Sequence, residues 1–168
     1  MNGADVLSTI SELALGLIGF TGIVVVFGRR ADRLTALERF RLFTLLMNGF
    51  GALFLALLPF ALSGLGMAEA RVIRLVSMAV VVYSIGILGV WLSRVPRFWS
   101  ESPEIFDRRV FGAVLAGHAA NVLVQLFNAT GWLWEPNVGV FLFGLIWFLL
   151  HGCQQFVRIL FVRPAEAD

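Results

Sequence analysis

Five stretches of this sequence, 8–27, 42–66, 72–93, 110–131 and 138–161, run for twenty residues or more with at most one charged side chain in each. An α-helix rises about 1.5 Å per residue, so about twenty apolar residues cross the roughly 30 Å hydrocarbon layer of a bilayer. Strands do not suit these stretches. None alternates with a period of two, and lipid offers the open edge of a sheet no hydrogen-bond partner. The expected fold class is therefore all-α: a polytopic transmembrane helical bundle of five spans, with residues 1–168 forming one transmembrane domain. Composition agrees, since 59% of the 168 residues are hydrophobic and only 14% are charged, far from the mix of a soluble domain. The spans consume roughly 100 residues, which leaves no room for a soluble catalytic or nucleotide-binding domain.

Helix punctuation sets the boundaries. Thr35 and Glu38 have the spacing of a capping box, so the second helix is expected to start before its apolar stretch does. Ser102, Pro103 and Glu104 read as cap, first turn and dipole-matched acid of the fourth helix. Pro59 falls inside the second span and removes one backbone hydrogen bond there. Met1 to Ser11 carry no Lys or Arg, so the basic start of a signal peptide is missing and the first stretch is expected to be kept as a span.

Arginine placement gives orientation. All 13 basic residues are Arg. Arg29, Arg30, Arg33, Arg39, Arg41, Arg94, Arg97, Arg108, Arg109, Arg158 and Arg163 fall on one side of the alternating spans, and only Arg71 and Arg74 on the other. Eleven against two, by the positive-inside bias, places the N-terminus outside and the C-terminus in the cytoplasm, as in a multi-pass protein of the cell inner membrane. Trp132 and Trp134 on the outer side and Trp91 and Trp99 on the inner side have the positions of interfacial belts.

Polar side chains inside these spans are the candidates for function, because lipid penalises them. His118, Asn121, Gln125 and Asn128 recur at steps of three, four and three, within an arc of roughly 80° on one helix face. His151, Gln154, Gln155 and Arg158 cover a comparable arc on the next span. A short turn around Glu135, Pro136 and Asn137 makes these two helices antiparallel neighbours. Centring that turn between Trp134 and Glu135 sets His118 and His151 at equal depth. In the first span Ser8, Glu12, Gly16, Gly19 and Ile23 share a face that suits a close helix or a second subunit. Glu12 has two readings: with Thr9 it matches a capping box at the outer interface, or it is a protonatable, cation-attracting acid in a pore or cavity. Thr44, Asn48, Ala52, Ala56 and Ser63 form a small-residue packing face on the second span.

Walker A, GxSxG, HExxH and TVGYG motifs are all missing, so no enzymatic activity, catalytic residue or metal site is expected. The lone Cys153 excludes an intrachain disulfide and reads as a small buried hydrophobe. A five-helix chain this small is expected to bury its polar stripes between identical subunits. The leading expectation is thus a homo-oligomeric channel or channel-like transporter for a small ion. Its pathway would be lined by His118, Asn121, Gln125, Asn128, His151, Gln154 and Arg158, with Glu12 as an outer acid. The expected partners are the lipid bilayer, further copies of the chain and a small ion, with no nucleic acid and no cofactor. One alternative is a non-enzymatic accessory or assembly subunit of a larger membrane complex. A second is a redox protein using haem or quinone at the His118 and His151 pair.

Overall fold

The computed structural model describes residues 3–24, 34–101 and 108–161. They form five helices, α1 (Gly3–Ile23), α2 (Ala36–Gly64), α3 (Glu69–Glu101), α4 (Arg108–Thr130) and α5 (Val138–Phe161), with no strand among the described residues. Each helix is long and apolar enough to cross a membrane. The all-helical plan with five candidate spans is therefore present, and α5 has the residue range read from the sequence.

Helices overrun their apolar stretches, α1 by starting at Gly3 ahead of Ser8, and α2 and α3 further. α2 begins at Ala36 because the capping box forms: Glu38 N donates to Thr35 Oγ1 at 3.2 Å, and Thr35 N donates to Glu38 Oε2 at 3.0 Å. α3 continues beyond Ser93 and through Pro96. Its residues Trp91, Val95 and Phe98 recur on one face and are buried. Trp91 stacks on Phe111 of α4 at 5.4 Å and Phe98 meets Phe40 of α2 at 5.2 Å. That aromatic burial outweighs the backbone bond that Pro96 removes. The expected cap at Ser102, Pro103 and Glu104 lies outside the described residues.

Glycines with positive φ close the two turns. Gly66 (φ 76°) follows α2, with Gly66 N donating to Ser63 O and Met67 N to Leu62 O, the paired bonds of a Schellman turn. Gly131 (φ 70°) ends α4, with its N donating to Phe127 O at 2.9 Å. There Arg74 of α3 donates to Thr130 O at 3.5 Å, placing a cation on the negative end of the α4 dipole.

α5 is the central helix and touches all four others, whereas α1 packs chiefly on α2 and α5. A Cβ built on Gly3 would meet Val138, and one on Gly152 would meet Leu17. α1 and α5 therefore run parallel with a constant offset. The outer surface is apolar, with Leu13, Phe20, Phe54, Val82, Leu123 and Leu150 all more than half exposed apart from other chains. α4 inverts the pattern of a soluble amphipathic helix. Its buried face carries His118, Asn121, Gln125 and Asn128, while apolar side chains such as Leu123 and Leu126 point outward.

Candidate functional site

The polar stripes of α4 and α5 meet inside a single protomer. His118, Asn121, Gln125 and Asn128 are each at most 1% exposed, and His151 and Gln155 at most 3%. This corrects the expectation that the stripes are buried between identical subunits, since one chain buries them by itself. Glycines let the helices approach side chain to backbone, Gly144 and Gly117 between α4 and α5 and Gly152 between α5 and the α1–α2 pair. A Cβ on Gly144 would fall against Gln125 Nε2 and Asn121 Oδ1, one on Gly117 would overlap the Trp147 indole, and one on Gly152 would meet Leu17 and Asn48. The column is filled with packed side chains and has no surface open to solvent along the α4 stripe.

At one end, all four hydrogen-bonding positions of the Asn128 amide are used. Its Nδ2 donates to Ser77 Oγ at 2.8 Å and to Asn137 O at 3.0 Å, while Oδ1 accepts from Asn137 N at 2.8 Å and from Trp134 Nε1 at 3.2 Å. Asn128 thus ties the turn between α4 and α5 to α3. One turn deeper, Gln125 Nε2 donates to Val140 O at 2.6 Å, and Asn121 Nδ2 reaches Ser84 Oγ of α3 at 3.5 Å. Gln125 Oε1 and Asn121 Oδ1 are buried without a partner.

The histidines meet as their equal depth implied. His118 Nε2 and His151 Nδ1 are 2.9 Å apart, and His151 Nε2 is 3.0 Å from Gln155 Nε2. An amide nitrogen only donates, so with Gln155 in this orientation the row of protons follows. Gln155 donates to His151 Nε2, His151 Nδ1–H donates to His118 Nε2, and His118 Nδ1–H is left as a buried donor without an acceptor. Turning the Gln155 amide over reverses every bond in the row. Trp91 stands edge-on to His151 at 5.5 Å and Trp147 edge-on to His118 at 5.6 Å, which fixes both rings.

Haem ligation does not fit these residues. The imidazole centroids are 4.9 Å apart and the facing nitrogens bond each other directly, so no macrocycle lies flat between them.

Other expected site residues fall elsewhere. Gln154 is half-buried and has no hydrogen bond among the described residues; Gln155, one position on, occupies the inward place beside His151. Arg158 is half-buried a turn further along α5. Trp91 is 7% exposed and belongs to the core, not to an interfacial belt. Cys153 is exposed, contrary to its reading as a buried hydrophobe. Thr44, Asn48, Ala52 and Ala56 face inward as a packing face should, although Ser63 is exposed.

Glu12 is no helix cap, because α1 already starts at Gly3 and Thr9 Oγ1 donates back to Asp5 O at 2.9 Å. Nine residues below Gly3, or about 14 Å along the axis, Glu12 lies level with Trp147 in the middle of the bundle and is exposed on its outer surface. The face it shares with Ser8, Gly16, Gly19 and Ile23 is likewise exposed, and nothing comes within 4 Å of a Cβ built on either glycine.

Sequence reasoning missed Ser77 and Ser84 of α3, which supply partners to the stripe. Their signal was their seven-residue spacing on the same face as Val80, Ile87 and Trp91.

Fold and site together define a class: a bundle of five helices, each able to cross a membrane, built around an internal polar column. Compared with known proteins, the chain matches no family model, no curated protein and no solved structure.

Proposed function

We propose that the protein is a non-enzymatic, channel-like transporter whose small ion is the proton, carried along the column within each protomer. The observation that carries this reading is the directly bonded row Gln155, His151, His118, in which each imidazole can take a proton on one nitrogen and release one from the other. A packed column excludes a hydrated metal ion, whereas a proton moves along hydrogen bonds without a lumen. The unpartnered His118 Nδ1, Asn121 Oδ1 and Gln125 Oε1 continue the polar column beyond the row. Arginine asymmetry supports a cell inner membrane setting with the N-terminus outside.

The test is proton uptake by proteoliposomes under an imposed potential, read with an enclosed pH dye between about pH 5 and 8. Wild-type protein should conduct above empty vesicles, and His118→Gln and His151→Gln, checked for folding by circular dichroism, should lose at least about tenfold. Equal uptake by wild type, variants and empty vesicles would sink the proposal.

A different observation favours the accessory-subunit reading. A carboxylate at mid-bundle on an outer surface is costly in lipid, so the Glu12 face calls for a covering chain. Affinity capture from native membranes separates the two readings: a stoichiometric unrelated partner supports the subunit, and a self-assembled particle supports the homo-oligomeric transporter.

A further inference from the structure

A groove on the side of the bundle, between α2 and α3, has an arginine on each wall at the same end. Phe43, Thr44 and Met47 of α2 and Val82, Gly86 and Val90 of α3 line a cavity of about 350 Å³, and the exposure of Phe43, Val82 and Val90 shows that it opens on the outer surface. That volume is within the roughly 300–1,000 Å³ of ligand pockets. Gly86 keeps the groove open, because nothing comes within 4 Å of a Cβ built there. Along α3 the lining runs from Val82 to Trp91, about 14 Å parallel to the helix axis. None of the lining residues is charged.

Arg39 stands four residues before Phe43 on α2, and Arg94 four residues after Val90 on α3, so each continues the helix face that lines the groove. Both are exposed. Phe40 meets Phe98 at 5.2 Å, and Tyr83 Oη donates to Met47 O. Those contacts between two antiparallel helices set Arg39 about level with Arg94, one turn beyond the end of the cavity.

We propose that this groove binds one anionic phospholipid, with an acyl chain lying along α3 and the phosphate between Arg39 and Arg94. Both walls belong to helices able to cross a membrane, so the groove is entered from the lipid and its occupant is lipid-soluble. Acyl chains run across the bilayer as the helices do, and an apolar slot parallel to the helix axis takes such a chain. Arginines at headgroup depth attract anionic lipid, and their forked donors match phosphate oxygens. The slot thus selects for a chain and the arginine pair for net negative charge. Trp91 is the wall between this groove and His151, but the site does not depend on proton passage along the histidine row.

Lipid binding to the delipidated full chain in maltoside micelles tests the site, read by native mass spectrometry as lipid retained per protomer across a titration. The probes are dioleoyl phosphatidylglycerol and dioleoyl phosphatidylcholine, which share their chains and differ in net charge, and inorganic phosphate, which has no chain. Wild type should retain one phosphatidylglycerol per protomer with an affinity about tenfold or more above that for phosphatidylcholine, and phosphate should not displace it. The double variant Arg39→Gln, Arg94→Gln should bind the two lipids alike. Gly86→Leu fills the groove and should weaken both lipids by about tenfold or more. Its Tm without lipid should hold, since leucine is the better helix former and its Cβ has room.

Equal affinity of wild type for the two lipids, a preference kept by the double arginine variant, or wild-type binding by Gly86→Leu would overturn the proposal. Displacement of the lipid by phosphate would assign the arginines to a free ion and overturn it as well. Should Gly86→Leu fail to fold, Val82→Trp narrows the same groove from its exposed rim and takes its place in the comparison.

Discussion

Each side chain in the column has its own degree of satisfaction, and that decides what its removal does. Asn128 fills all four valences of its amide, two of them on the backbone of Asn137. Gln125 makes one bond and leaves Oε1 unpaired in the interior. Removing one side of a satisfied set strands the other, whereas removing a half-satisfied group also removes its desolvation cost. Asn128→Ala should therefore lower stability by about 1–3 kcal/mol and Gln125→Leu by less than about 1 kcal/mol, read as Tm in micelles. Equal losses would contradict the assignment. Spacing alone put both residues on one face. It carried no sign of which amide would find partners, because those come from Ser77, Val140 and Asn137 on other segments.

At the scale of elements, helix ends were legible where the signal is local. Thr35 and Glu38 satisfy each other over three residues, and α2 starts there. Thr35→Ala should cost about 1 kcal/mol and speed amide hydrogen exchange in the first turn of α2, with exchange near Gly51 unchanged. Unaltered exchange in that first turn would contradict the cap. The match of Thr9 with Glu12 to the same motif failed because α1 was already under way, so the Thr9 hydroxyl bonds back to Asp5 O. The far end of α3 was illegible for a related reason. Pro96 and the arginines around it signal a stop, but the contacts of Trp91, Val95 and Phe98 with α2 and α4 carry the helix through.

On the scale of the whole molecule, burial of the stripe within one protomer sets how activity depends on assembly. If each protomer carries its own path, proton uptake should rise in direct proportion to the protein-to-lipid ratio, down to an average below one protomer per vesicle. A steeper dependence would place the path between subunits. The same geometry leaves Glu12 to the outside, so association through α1, if it occurs, would be separable from the proposed conduction. The size of the solubilised particle and the flux it supports are then independent measurements.

Sequence by itself determined that this chain forms five membrane-length helices, which residues share a face, and that His118 lies level with His151. Those properties depend on chain length, helical period and one short turn, all local in sequence. Tertiary structure alone decided that the α4 stripe turns inward to α3 and α5, that Gln155 and not Gln154 meets the histidines, and that Glu12 turns out. Lipid penalises a polar group equally wherever it goes unpaired, so the direction it turns depends on which neighbouring helices offer a donor, an acceptor or a glycine to lie against.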